Sequence, residues 1–122
     1  MADEWSMLSQ AEDMMVEKPH INVQFGDDRR HRVTVSEEDD AYVLSALVVG
    51  QAMAESLPNL ALQASLWNRT TSLVGFRIDQ RGRLIGEAWV PKAGLDAAEF
   101  QCYVRTVAIE CDRFEYLLTG RM

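Results

Sequence analysis

Cysteine, proline and histidine are scarce: two, three and two residues in a chain of 122. Two cysteines cannot build the disulfide framework of a small secreted scaffold. If Cys102 and Cys111 share one helix, their spacing at about 100° per residue turns them to opposite sides. They are not expected to bridge and read as small apolar fillers. His20 and His31 stand without a third ligand at metal-type spacing, whereas a closed zinc site wants about four ligands, so no metal is assigned. An uninterrupted apolar run of about 18 residues is also missing, which excludes an apolar membrane helix. The opening MADEWSMLSQAEDMM is acidic and lacks the basic and apolar regions of a secretory signal. The expected location is the cytoplasm.

Motifs of catalysis are absent as well. No nucleophile elbow, phosphate-binding loop, HExxH or dinucleotide-binding glycine pattern occurs, and the glycines of GRLIG belong to a hairpin. Asp112, Arg113 and Glu115 near Tyr116 could be cast as an acid–base group. Glu110 and Arg113, however, form an i, i+3 pair, and a solvated helix face explains the cluster more simply. Asn68-Arg69-Thr70 matches a glycosylation triplet but lacks the secretory context that would give it meaning. Neither catalytic residues nor cofactors are assigned, and the chain is expected not to be an enzyme.

Positive charge is thin where it would matter for nucleic acid. The net charge of −7 arises in the first forty residues, which hold eleven acids against four bases, while the remainder carries eight of each. Phosphate backbones demand clustered lysine and arginine, so nucleic acid is not an expected partner, nor is a membrane. A basic or amphipathic polypeptide is a better electrostatic match, although the acids could equally serve solubility alone.

What the chain does contain is hydrophobic patterning suited to one domain. At 48% hydrophobic and 25% charged residues it has the composition of a globular protein, and its length suffices for a core. Residues 2–17 read as a helix, with Asp3 and Glu4 at the positive end of its dipole and Trp5, Leu8, Met15 and Val16 near one face. Pro19 ends it. Ile21–Phe25 alternates as a half-buried strand, Gly26-Asp27-Asp28 is turn chemistry, and Arg32–Val35 is a second strand. Ser36-Glu37-Glu38-Asp39 imitates a helix start, yet the valine-rich run Tyr42–Val49 that follows fits a buried strand better. The three strands then form a meander.

A helical turn over Gln51–Ser56 precedes a middle helix over Leu60–Asn68, with Leu62 and Leu66 stacked and Trp67 beside them. Val74, Phe76 and Ile78 alternate, Gln80-Arg81-Gly82 turns, and Leu84–Val90 returns, a strong hairpin signal. Asp96 and Glu99 suggest a capping box, and Gly120 a left-handed stop, for a long final helix. Phe100, Val104, Val107, Cys111, Phe114 and Leu118 line one side of it, while Cys102, Ile109 and Tyr116 lie roughly opposite and need another cover. The expectation is a single α+β domain over residues 1–122, an antiparallel sheet with helices packed on it in the order α-β-β-β-α-β-β-α.

The ending LVGFRIDQRGRLIGEAWVP followed by FQCYVRTVAIECDRFEYLLTG resembles the C-terminal half of YbjN-like domains. The order of elements in this small acidic chain also resembles the class I type III secretion chaperones, which share that fold. The resemblance implies a cytoplasmic, usually dimeric, non-enzymatic protein that holds a protein or peptide client. It carries no motif of binding residues. From the sequence itself, Trp5, Met7, Met14 and Phe25 are candidates for a client groove. Leu62, Leu66, Trp67 and Trp89 are candidates for a homodimer contact. Any of these could be a core residue, and for Phe25 and Trp89 the core is the expected place. Two alternatives remain: a regulatory or immunity-type protein masking a folded partner, and a small-ligand-binding domain with a pocket between helix and sheet.

Overall fold

The computed structural model describes residues 4–26, 29–71 and 73–120. Asp3, Asp27 and Asp28, given helix-start and turn roles above, lie outside these residues, as does the side chain of Glu4. The elements are α1 (Glu4–Leu8), β1 (Met14–Glu17), β2 (His20–Gln24), β3 (Arg30–Glu37), β4 (Ala41–Val49), α2 (Gln51–Ser56), α3 (Leu60–Asn68), β5 (Gly75–Ile78), β6 (Leu84–Pro91) and α4 (Ala97–Thr119). The strands form one antiparallel sheet in the order β1-β2-β3-β4-β6-β5. This is the expected α+β class, with one strand more than the sequence suggested.

The extra strand comes from the segment expected as a helix over residues 2–17. That helix stops at Leu8, where the Ser9 hydroxyl donates to the Trp5 carbonyl at 2.7 Å. Met14–Glu17 instead pairs with β2, setting Met14 opposite Val23 and Val16 opposite Ile21. Met14-Met15-Val16-Glu17 also satisfies a period of two: Met14 and Val16 pack on the core, while Met15 and Glu17 are exposed. Backbone pairing with a distant strand decides between the two periods, and local propensity is overridden. Pro19 sits in the β1–β2 turn, after a cis Lys18–Pro19 bond, and ends no helix.

The ambiguous run after SEEDD is strand β4, and its central position explains its composition. With β3 on one side and β6 on the other, it is buried at most positions, so apolar residues run almost without interruption. Glu38 donates its N–H to the Ala41 carbonyl at 2.8 Å, making the acidic segment a tight turn between β3 and β4. The two helices expected at Gln51–Ser56 and Leu60–Asn68 have those bounds.

Helix α4 is built as its sequence dictates. The Asp96 carboxylate accepts the Glu99 N–H at 2.8 Å, satisfying one of the first-turn donors. Gly120 adopts φ +71° at the other end, and its N–H reaches the Tyr116 carbonyl at 2.7 Å. Phe100, Val104, Val107, Ala108, Cys111 and Phe114 are buried against the sheet. Phe100 meets Tyr42 edge-on at 5.6 Å, and Phe114 is stacked on Trp67 at 5.1 Å and edge-on to Phe76 at 5.0 Å. Aromatic pairs in these orientations contribute about 0.5–1.5 kcal/mol each beyond the area they bury.

At Gly86 in β6 the close approach of α4 excludes any side chain. A Cβ there would stand 2.8 Å from Cε1 of Phe76 and closer still to the Cys111 sulfur. Burial pushes the Cys111 thiol well above its usual pKa, so it is inert packing material. Cys102 corrects its expectation: it is exposed and fills nothing.

Two further sets of contacts close the domain. Gln101 donates to the Leu8 carbonyl at 2.9 Å, and Arg105 grips Asp13 through two bonds of 2.7 and 2.9 Å, so α4 holds the N-terminal segment. At the far edge, the Asn68 carboxamide accepts the Phe76 N–H at 2.7 Å and donates to the Phe76 carbonyl at 3.1 Å. Helix α3 thereby covers part of β5. Among the described residues no helix is long and apolar enough to cross a membrane.

Candidate partner-binding surface

Side chains alternate across a strand, so the residues that do not face α4 must face the other way. Tyr42, Leu44, Ala46 and Val48 of β4 join the core, as do Leu84, Ala88 and Val90 of β6. Their neighbours form the opposite face: Val43 pairs with Trp89, Ser45 with Glu87 and Leu47 with Ile85. The same face continues through Thr34, opposite Ser45, and His20, opposite Thr34. Trp5, Ala54, Leu60 and Ala64 from α1, α2 and α3 all join the inner core. Among the described residues the outer face therefore carries no helix.

That face carries two apolar patches with polar residues between and beside them. Trp89 is 59% exposed beside its partner Val43 and Leu47 is 44% exposed beside its partner Ile85, and the polar Ser45–Glu87 pair separates these two apolar patches. A half-open tryptophan on a sheet face is costly in water and is a residue type enriched at interfaces. The Leu47–Ile85 patch forms part of a cleft of about 580 Å³, whose lining also includes Thr34 and Ser45 together with Arg30, Arg32 and Arg83. The arginines reverse the sign of the chain as a whole. Net charge, which pointed to a basic partner, therefore does not describe this surface.

Arginines in the cleft and near it on the sheet are held by neighbours. Arg77 pairs with Glu87 at 3.1 Å and Arg83 with Asp79 at 2.7 Å. Burial works to raise the Asp79 carboxyl, but the Arg83 side chain and the N–H groups of Arg83 and Arg81 hold it below the usual carboxylate range. The same bonds organise the turn between β5 and β6, in which Gly82 takes φ +75°.

The cleft's remaining wall joins residues far apart in the chain. His31, in β3, faces α4 and lies beside Asp112 and Glu115. Arg29 binds Asp112 through an ion pair, so these acids belong to a packed cluster and not merely to a solvated helix face. The fold thus supplies His31 with the neighbours that sequence spacing failed to reveal. Only the expected Glu110–Arg113 pair, at 3.3 Å, was legible in the local spacing.

The eight candidate residues do not converge on one surface. Trp5 is buried in the core, and Met14 and Phe25 are half-buried against it. Met7 is 68% exposed and lines a shallow apolar depression of about 280 Å³ with Leu8, Tyr42, Lys92 and Leu95. Leu62 and Leu66 are exposed one turn apart on α3, whereas Trp67 is drawn inward onto Phe114. Trp67 Nε1 is buried without a hydrogen-bond partner among the described residues. Trp89 departs from the core position expected of it and stands open on the outer face. Opposite the buried stripe of α4, Cys102 and Tyr116 are exposed and Ile109 is half-buried. Leu47 and the arginines were missed; once β4 was read as two-sided, its alternation could have marked Leu47.

Residues 17–118 match the model of the YbjN family, described as "putative bacterial sensory transduction regulator". The chain belongs to the YbjN family. The solved structure of YbjN from E. coli, described as a putative transcription regulator, matches with a TM-score of 0.74 at 13% identity, covering 98% of this chain and 92% of that one. The ExsC–ExsE complex matches at 0.61 and 18% identity over 94% and 88% of the two chains. The heterodimeric ExoU–SpcU complex from the type III secretion system of Pseudomonas aeruginosa matches at 0.60 and 15% identity, over 99% and 100%. At such identities the likeness establishes the shared fold. No curated protein matches the sequence.

Proposed function

We propose that this YbjN-family chain is a non-enzymatic adaptor or chaperone that works in the cytoplasm as a homodimer. It holds a segment of a partner protein on the outer face of its sheet. The observation that carries this reading is Trp89, exposed on the outer face of the sheet, which bears no helix among the described residues, with a polar cleft farther along the same face. An extended amphipathic segment suits that surface, with apolar side chains on Trp89 and Leu47 and acidic ones toward Arg30 and Arg32. The fold adds support, because ExsC and SpcU were solved in complexes with protein partners. Exposed Leu62 and Leu66 on α3 are the candidate dimer contact.

The test is recovery of partners on tagged full-length chain, with light scattering of the purified protein. Trp89→Ala should lose the recovered partner at least tenfold while leaving the fold intact. Leu62→Glu with Leu66→Glu should convert a dimer to a monomer. A monomeric native chain, or equal recovery by Trp89→Ala, would sink the corresponding half of the proposal.

The family's description as a sensory transduction regulator favours one further reading, a small protein that masks a folded partner. The client's state separates the two, since a chaperone takes it unfolded and a masking protein takes it folded. A small-ligand pocket between helix and sheet has less support, because Phe100, Val104 and Phe114 fill that interface.

A further inference from the structure

We propose that His31, Asp112 and Glu115 form a binding site for a divalent first-row transition ion, with zinc the best fit. A backbone carbonyl fixes the tautomer of His31. Its Nε2 lies 2.7 Å from the Leu47 carbonyl oxygen. A carbonyl only accepts, so Nε2 carries the proton. In the neutral ring Nδ1 is then a lone pair, and it faces Asp112 Oδ1 at 3.9 Å, beyond hydrogen-bond length. A lone pair turned toward carboxylates is repulsive unless a proton or a metal ion stands between them, and the 3.9 Å gap leaves room for the larger of the two.

The surroundings match those of a metal-binding histidine. Such residues nearly always donate their other ring N–H to a carbonyl or carboxylate, which fixes the ring. Leu47 does this for His31, and Arg29 does the equivalent for Asp112 by binding Oδ2 and leaving Oδ1 for an ion. Glu115, one helical turn beyond Asp112, supplies the third ligand, and all three ligand atoms lie within 4.8 Å of one another. Zinc–ligand bonds of about 2.0–2.2 Å require them to draw in by roughly 1 Å, within reach of the long Glu115 side chain. His31 is nearly buried, with its side chain 11% exposed, so the site has a fixed wall.

One nitrogen and two carboxylates select the class of ion. Magnesium and calcium prefer oxygen alone, soft copper prefers sulfur, and a mixed imidazole–carboxylate set suits zinc, nickel or cobalt. Three protein ligands leave a position for water, and affinity is expected in the micromolar range. The bound ion would join the start of β3 to the C-terminal half of α4 in the wall of the cleft. This inference does not rest on partner binding.

Zinc sulfate titrated into chelator-stripped full-length chain by calorimetry tests it. The measurement is repeated in Cys102→Ser, which removes the exposed thiol as a competing ligand. One zinc per chain is expected in both, at least tenfold weaker in Glu115→Gln and lost in His31→Gln, with circular dichroism unchanged. Cobalt should give weak visible bands without the sulfur charge-transfer band. A two-dimensional ¹⁵N spectrum of the imidazole should show Nδ1 shifting on zinc addition while Nε2 keeps its proton. Absence of saturable binding, binding that survives His31→Gln, or an Nδ1 already protonated and unmoved by zinc would overturn the assignment.

Discussion

The two faces of the sheet are made by the same strands and differ in almost everything else. On one face Leu44, Val90 and Ile21 are fully buried beneath α4. On the other, a single residue along in β6, Trp89 meets solvent. The backbone register that buries one set necessarily presents the other, so the outer face is a product of pairing and not of local sequence. The difference teaches where stability and recognition separate. Substitutions on the inner face should be read in unfolding free energy, and those on the outer face in partner recovery.

The largest effect on stability is expected from Phe114→Ala. This removes a side chain stacked on Trp67 and edge-on to Phe76, and should cost about 3–5 kcal/mol in denaturant unfolding. A cost near that of Trp89→Ala would erase the distinction between the faces. Gly86→Ala comes next, destabilising by about 1–3 kcal/mol because its Cβ meets Phe76 and Cys111. Combining it with Cys111→Ala should recover part of that loss, a coupling readable in a double-mutant cycle.

Asp96→Ala tests the fastening of the covering helix and should cost about 1 kcal/mol through loss of the Glu99 N–H acceptor. A smaller effect concerns acid. The hydrogen bond from Arg105 holds the Asp13 carboxyl below its ordinary 3.8. A depressed folded-state pKa means its stabilisation is fully present above about pH 4 and is lost as pH falls through the folded-state value. Because both side chains are about one-third or more exposed, screening limits this to a few tenths of a kcal/mol. Acid unfolding curves of Arg105→Gln should converge with those of the native chain below that window. Smallest on stability is Trp89→Ala, within about 0.5 kcal/mol, although it is the change expected to matter most for a partner.

Local chemistry made some of this architecture legible in advance. Asp96 and Gly120 mark the ends of α4, and the bounds of α3 and the β5–β6 hairpin follow from spacing and turn residues. The N-terminal segment was not legible, because Met14-Met15-Val16-Glu17 satisfies both periods and only distant β2 chooses between them. The surface was harder still. Trp89 looks like a core residue in an alternating strand until one knows that no helix among the described residues reaches its side. His31 acquires Asp112 and Glu115 only when β3 is laid beneath α4.

The contact between Asn68 and Phe76 has a consequence for how the sheet could grow. One carboxamide offers a donor and an acceptor in the spacing of a peptide group, and it satisfies both outward groups of the middle of β5. A visiting strand would find that position already answered and would have to displace a helix terminus to read it. Lengthening of the sheet by added backbone is thus discouraged at this border by the side chain of one residue. The protein's outer face can stay sticky to side chains without its edge becoming a template for polymerisation.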